Sequence, residues 1–424
     1  MMLKLYDTFS RGKRVFRPLE GRTARIYTCG PSVYNYSHIG NFRTFLFEDV
    51  LVRYLRYKGY RLKRVMNITD IEDKAIAEAR IEGKSLGDLE EDRIRAFLND
   101  FDSLKMIRPD VLAKASAHIK QMIRLITIIC ENGYCLDEND GIYFNIRRFR
   151  RYGRLGRIRN RRYMGKAKGD DYSREGLWDF RLWKRWSRRD GQVGWRSPFG
   201  RGRPGWHIEC SAMSTYHLGK RFDIHCGGTD NIYPHHENEI AQSMAANGVM
   251  PANFWMHAKH LTIKQKKMSK RTGNIIYVKE LLALGIHPEC LRFYLISERY
   301  RNRLDFDYKK FEKKVCGCER VGKVIEALER IAKGKDKDKK SEKKASIGSA
   351  GKGKFHGWRI AREMISDFER YMDDDLDTKR AFGAIFAYFE RIERLRKAKE
   401  ISGCDAREIL DAIKRIDSVL GVFL

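Results

Sequence analysis

The run Arg25-Ile26-Tyr27-Thr28-Cys29 is rich in apolar residues and is halted by Gly30-Pro31, which predicts a short buried strand. After it, Phe42, Phe45, Leu46, Val50 and Leu55 fall near helical spacing until Gly59 ends the run. Tyr60 to Asn67 reads as a second strand. The three together make a β-α-β unit, the element from which parallel sheets with ligands at their carboxyl edge are built. Farther along, Phe222-Asp223-Ile224-His225 reads as a strand, His235 to Gly248 as a helix, and Phe254 to Ile263 as one more strand. A Lys/Gly/Ser/Asp stretch from Ala332 to Lys354 holds almost no apolar residues and reads as a flexible linker. Beyond it, Trp358, Ile360, Met364, Ile365, Phe368 and Tyr371, then Phe382, Ile385, Phe389, Ile392 and Leu395, form the apolar stripes of a small helical bundle. No fixed internal period appears.

Composition sharpens this picture. At about 100–200 residues per domain, 424 residues amount to about two to four domains. Lys+Arg 86 against Asp+Glu 56 gives a net charge of +30, on a chain whose 42% hydrophobic content is too high for a disordered basic tail. A folded body this basic points to a polyanionic partner, nucleic acid before an anionic membrane surface, because each phosphate neutralised releases counterions. From Gly141 to Asp190, 17 Lys/Arg face five acidic residues among Tyr152, Tyr163, Tyr172, Trp178, Trp183 and Trp186. That stretch reads either as a nucleic-acid surface or as a solvated face with core tryptophans. No apolar run approaches the ~18–20 residues of a spanning helix, and the N-terminus lacks a secretory signal. Nine cysteines, an odd number scattered over a long chain, fit a reducing, cytoplasmic location with free thiols rather than a disulfide framework.

Three constellations carry chemistry. His38-Ile39-Gly40-Asn41 stands where a strand has ended and a helix begins, so backbone N–H groups and the helix dipole favour an anion there. The same tetrapeptide also serves as a plain helix start with a packing glycine. Lys267-Met268-Ser269-Lys270-Arg271-Thr272-Gly273-Asn274 is a basic loop that either carries ammonium groups to a polyphosphate or forms a solvated turn. His235 and Glu239 are four apart on an expected helix and share a face; with Cys29 and Cys210 they make a zinc-type donor set. Read alone, the two cysteines are equally small buried hydrophobes, and the His235-His236 pair a core or capping element.

In order along the chain, these segments closely resemble the cysteinyl-tRNA synthetase family of class I aminoacyl-tRNA synthetases. The resemblance rests on Cys29-Gly30-Pro31-Ser32-Val33-Tyr34 with His38 to Asn41, on Asn67-Ile68-Thr69-Asp70-Ile71-Glu72-Asp73-Lys74, and on Gly205 to Met213. Asp223-Ile224-His225, Pro234 to Ser243 and Lys267 to Asn274 complete it. It implies an α/β fold: a Rossmann-type catalytic domain, interrupted by a connective-peptide insertion and followed by a C-terminal helical bundle. The expected units are 1–115 and 205–263 for the two catalytic halves, 116–204 for the insertion and 264–331 for the lysine loop and stem-contact region. The linker at 332–354 and a tRNA-binding, anticodon-type bundle at 355–424 follow.

The resemblance also implies ATP-dependent ligation of L-cysteine to the 3′ end of tRNA(Cys) through a cysteinyl-adenylate. His38, Asn41, Lys267 and Lys270 would be catalytic, and Gly40, Met268, Ser269 and Lys270 would contact ATP, with Mg²⁺ on the polyphosphate. Gly30, Ser32, Thr44, Thr69, Trp206, His225 and Asp230 would line the substrate pocket. One Zn²⁺ per chain would be held by Cys29, Cys210, His235 and Glu239, selecting a thiolate over the serine hydroxyl, whose proton is far harder to remove. A monomer is expected, with no membrane partner. Asn41 replaces the usual second histidine of its motif, Arg271 the usual small residue ending the lysine loop, and Cys226 a usual glycine, here read as a tolerated small residue. Two competing functions remain: a related ligase that transfers cysteine to an amino sugar, which a +30 charge does not favour, and a silent RNA-binding paralogue, which loss of His38, Lys270 or a zinc ligand would have marked.

Overall fold

The computed structural model describes residues 2–158, 179–268, 273–334 and 356–424. The apolar run at Arg25 forms the strand Thr23–Thr28, the middle of a five-stranded parallel sheet. Its spatial order is Ala252–Ala258, Phe222–Gly228, Thr23–Thr28, Arg61–Ile68, Val111–Lys114. Parallel strands covered on both faces divide alternate side chains between two cores. Ile26, Met66, Ile224 and Met256 join the core under helix Ile39–Tyr57. Tyr27, Val65, Phe222 and Trp255 join the second core, with helices Ile119–Glu131, Trp206–Leu218 and Glu237–Asn247. Strand order reverses between Thr23–Thr28 and Phe222–Gly228, and such a point leaves a crevice at the carboxyl ends.

Helix Ile39–Tyr57 starts three residues before Phe42 because His38 caps it, and it stops where Gly59 takes a φ of +82°, a left-handed conformation that favours glycine. The segment expected as one strand from Phe254 to Ile263 is two. At Lys259 the backbone turns away: its amide donates to the Tyr300 carbonyl at 2.8 Å and its carbonyl accepts from Arg43 Nε at 3.1 Å. Ala252–Ala258 therefore stays in the parallel sheet, while Leu261–Ile263 pairs with Leu304–Phe306 and Lys266–Lys267.

Within 116–204, strands Cys135–Glu138, Gly141–Phe144, Phe180–Arg185 and Gly202–Pro204 form an antiparallel sheet. Trp183 is core, whereas Trp186 is 37% exposed beneath the Arg201 guanidinium, 4.8 Å from the ring centre. Tyr163, Tyr172 and Trp178 lie outside the described residues. The expectation of free thiols fails at one pair. The turn after helix Ile119–Glu131 brings the Cys130 and Cys135 Cα atoms within 4.8 Å, and the two are joined in a disulfide. The other seven cysteines are free.

Helices Pro288–Ile296 and Tyr308–Ala332 lead towards the tail; of the segment expected as a linker, 332–354, residues 335–354 lie outside the described residues. Gly357–Met372, Thr378–Lys397 and Gly403–Leu420 form the tail bundle. Ile360, Met364, Phe368, Phe382, Ile385, Phe389 and Ile392 are buried as the stripe requires, but Trp358 is 49% exposed because it falls at the solvent edge of the first turn. Among the described residues, no helix is long and apolar enough to cross a membrane.

A buried ion pair joins helix Pro288–Ile296 to helix Ile39–Tyr57, and its arginine also holds the end of the tail bundle. Arg292 Nη2 lies 2.6 Å from Asp49 Oδ2, both fully buried, while Arg292 Nε donates to the Leu420 carbonyl at 2.6 Å and Nη1 to the Leu104 carbonyl at 3.0 Å. Burial works to raise the Asp49 carboxyl, but the guanidiniums of Arg292 and Arg53 overcome it and hold it below its ordinary value. Removing one partner of such a pair leaves the other charged and unpaired. We expect Asp49→Ala to lower the unfolding free energy, measured in urea, by about 3–5 kcal/mol at neutral pH. A carboxyl depressed in the fold stabilises above its unfolded value and loses that contribution as pH falls through it. The deficit of the variant should therefore shrink below about pH 4.

Candidate active site and metal centre

Where the two central strands part, a cleft of about 530 Å³ opens. Cys29, Gly30, His38, Gly40, Asn41, Thr44, Asp230, Lys267 and Met268 line it. Nine expected site residues thus meet in one cavity. Ser269, Lys270 and Arg271 lie outside the described residues.

Two glycines are fixed by close approach. The Gly30 amide donates to Asn67 Oδ1 at 2.9 Å, and a Cβ on Gly30 would lie 1.8 Å from the Asn67 carbonyl oxygen. A Cβ on Gly40 would lie 2.7 Å from Met268 Cε and 3.0 Å from the His38 ring, so glycine here lets the lysine loop close onto the helix start. His38 caps helix Ile39–Tyr57 through its ring, and burial pushes its pKa down to about 4. Lys267 Nζ lies 2.7 Å from Asp230 Oδ2 in the cleft wall, with both groups about half exposed.

Behind this cleft, Cys29, Cys210, His235 and Glu239 converge, all buried, with ligand atoms within 4.8 Å of one another. Cys29 follows the first sheet strand, Cys210 lies early in helix Trp206–Leu218, His235 sits in a wide turn over Ile232–His236, and Glu239 is in the first turn of helix Glu237–Asn247. His225 and His236 form an overlapping set with Cys29 and Glu239. Cys29 Sγ is 3.2 Å from His236 Nε2, and His225 Nε2 is 2.8 Å from Glu239 Oε2.

The donor set fits a cation. Glu239 Oε1 is buried and accepts no hydrogen bond, although His235 Nε2 lies 3.1 Å away. His235 Nδ1 and His207 Nδ1 are 2.9 Å apart and share one proton. In the tautomer that donates from His235 Nδ1, the Nε2 lone pair and the Glu239 oxygen face one another, an arrangement that a positive ion relieves. Two thiols, an imidazole and a carboxylate suit a borderline-soft divalent ion. Burial pushes both thiols up and His235 down to about 3, so the imidazole is neutral and its lone pair available. A histidine chain supports the ligands. His236 Nδ1 lies 2.8 Å from His257 Nε2, and Thr8 Oγ1 lies 2.8 Å from His257 Nδ1. Burial holds His207 and His257 at about 3 as well.

Four expected pocket residues lie outside the cleft wall. Trp206 stacks on the His235 ring at 4.4 Å, and His225 is buried against Glu239. Thr69 is buried, donating to Glu209 Oε2 at 3.0 Å and accepting from Asn67 Nδ2 at 3.2 Å, while Ser32 donates to Glu72. Cys226 packs in the core on the other side of the sheet from Tyr27 and Trp255. His257 did not stand out in the sequence; His207, and Tyr34 and Lys74, which line the cleft, stood in the quoted motifs without a role assigned to them. The sequence signal for His257 is the high density of histidine between 207 and 260.

A family model described as the class I (C) tRNA synthetase catalytic domain matches residues 15–316. The chain belongs to the cysteinyl-tRNA synthetase family of class I aminoacyl-tRNA synthetases. The cysteine–tRNA ligase of Brachyspira hyodysenteriae is 37% identical over 425 residues, covering 99% of this chain and 86% of that protein. That of Thermococcus onnurineus is also 37% identical, covering 100% and 87%. The structure of Mycobacterium tuberculosis methionyl-tRNA synthetase in complex with methionyl-adenylate superposes with a TM-score of 0.67, covering 95% of this chain and 90% of that one. At 13% identity this likeness shows a shared fold, the class I architecture read from the sequence. Within that family frame, the Asn41 departure has a structural role, closing the cap with His38.

Zinc titration against a chromophoric chelator checks the centre. Cys210→Ala and His235→Ala should each lose more than about a hundredfold in affinity, and His207→Ala, which only supports a ligand, about 10–100-fold.

Proposed function

We propose that the protein joins L-cysteine to the 3′ end of tRNA(Cys) with ATP, through a cysteinyl-adenylate. The observation that carries this reading is the double position of Cys29: it belongs to the Cys/His/Glu cluster and to the wall of the cleft that holds His38, Lys267 and Asp230. An amino acid whose side chain reached the cluster past Cys29 would leave its carboxylate in the cavity that takes the nucleotide.

Cys29, Cys210, His235 and Glu239 would hold a zinc ion, which supplies a Lewis acid for a thiolate and little for a serine hydroxyl that keeps its proton. The rest follows from the chain's own groups. With cysteine seated by its thiol, its carboxylate attacks the α-phosphate of Mg²⁺-bound ATP in line, and pyrophosphate leaves. His38 at the helix start and Lys267 with Lys270 offer donors and positive charge as negative charge moves to the leaving group. Asp230, 2.7 Å from Lys267, aims that ammonium group into the cleft. The terminal ribose hydroxyl of tRNA then attacks the activated carbonyl, and AMP leaves. The net charge of +30 favours a polyanionic acceptor over a small uncharged one.

Transfer of radiolabelled cysteine to tRNA, run beside serine and beside cysteine-dependent pyrophosphate exchange, tests the proposal. Charging with cysteine alone is expected. Exchange without charging would point to a small acceptor, and equal charging with serine would remove the metal from selection. We further expect Lys270→Ala to slow exchange by about a hundredfold or more while leaving zinc content unchanged; parallel loss of both would assign Lys270 to folding instead.

A further inference from the structure

The lysine loop leaves a very short hairpin. Leu261–Ile263 and Lys266–Lys267 share two cross-strand pairs, Thr262 opposite Lys267 and Ile263 opposite Lys266, so Lys264 and Gln265 form a two-residue turn. Both turn residues are left-handed, with φ of +49° and +63°. Asparagine and glycine favour that conformation in a hairpin turn, whereas lysine and glutamine adopt it at a cost. A hairpin this short is marginal on its own in water. It gains a third strand from Leu304–Phe306, where Asp305 stands opposite Thr262. Asp305 Oδ1 accepts from Thr262 Oγ1 at 2.6 Å and from the Gln265 amide at 2.8 Å. The second bond reaches the turn itself, outside the strand pairs, and Arg303 Nη1 adds a donor to Gln265 Oε1 at 3.4 Å. The carboxylate is itself held in place: Leu304 and Phe306 on either side are buried, and the Tyr294 hydroxyl donates to the Asp305 carbonyl at 3.3 Å.

We propose that Asp305 is a positioning residue for the lysine loop: by accepting from Thr262 and from the Gln265 amide, it holds the Lys264-Gln265 turn in its left-handed form and so sets where Lys267 enters the cleft. This rests on reading the cleft as the site of adenylate formation. Thr262 is the common neighbour, opposite Asp305 in one strand pair and opposite Lys267 in the other, so the carboxylate and the first loop lysine are two strands apart in one register. Without the carboxylate, nothing among the described residues accepts from the Gln265 amide, and the turn keeps its conformational cost with less to offset it. Desolvation works to raise the Asp305 carboxyl, but the bonds from Thr262 and Gln265 outweigh it, so the acceptor is ionised and its bonds are charge-assisted. Asp305 is outside the cleft wall and acts on the reaction only through the lysine that the hairpin carries.

The test is cysteine-dependent pyrophosphate exchange by the full-length, zinc-loaded protein, with protection of the Gln265 amide proton from solvent followed by NMR. Asp305→Ala should lower both kcat and the amide protection about tenfold, the ratio that loss of a bond to a charged acceptor produces. KM for cysteine and zinc content should not change, because the metal ligands stand on other elements. Asp305→Asn keeps an acceptor oxygen and should stay within about threefold of wild type. Gln265→Gly added to Asp305→Ala removes the cost of the left-handed residue and should recover about fivefold in kcat. An unchanged kcat in Asp305→Ala, a loss that the glycine does not relieve, or a parallel loss of zinc would overturn the proposal. A protected Gln265 amide in a wild-type protein without any cysteine-dependent pyrophosphate exchange would instead overturn the reading of the cleft, and the positioning role with it.

Discussion

The active centre depends on two strands lying side by side in one register. Thr23–Thr28 and Phe222–Gly228 pair in parallel with Ile26 opposite Ile224, Tyr27 opposite His225 and Thr28 opposite Cys226, and the Cys29 amide donates to the Cys226 carbonyl at 3.1 Å. That register puts Tyr27 and His225 on the face towards Cys210 and Glu239 and Ile26 and Ile224 on the other. Because side chains alternate, a slip of one residue would send His225 into the opposite core and withdraw Cys29 from Cys210 and Glu239. Long separated in sequence, the two strands meet only in the folded sheet, so the centre and the sheet form together.

A second constraint is electrostatic. Around Cys29, five histidines are buried next to one carboxylate, and burial keeps four of them, His207, His235, His236 and His257, in the neutral form. The interior of this basic protein is therefore not basic at its centre. Two full charges buried elsewhere are matched, Arg292 by Asp49 and Arg64 by Glu48. The excess of lysine and arginine is left to the surface.

Local periodicity made much of this legible. The strand at Arg25, the helix through Phe42 and Leu55, and the stripe Ile360, Met364, Phe368 all appear where alternation and helical spacing place them, because each is decided by neighbours within a few residues. His235 and Glu239 meet as an i, i+4 pair should. Features fixed at long range were not legible. The break at Lys259 is set by Arg43 and Tyr300, the support of His235 by His207, and the placing of Thr69 by Glu209. The Cys130–Cys135 bond arises from a turn whose tightness nothing in the cysteine count reveals. The motif resemblance grouped Cys29, Cys210, His235 and Glu239, whose donor atoms the fold brings within 4.8 Å of one another, where spacing alone left Cys29 and Cys210 open.

The central claim is that a metal held by Cys29, Cys210, His235 and Glu239 takes the substrate thiol directly. X-ray absorption at the zinc edge of the loaded protein, recorded alone, with cysteine and with serine, tests it. Cysteine should add one sulfur neighbour to the thiolates of Cys29 and Cys210, and serine should add none. An unchanged sulfur count at saturating cysteine would contradict the account.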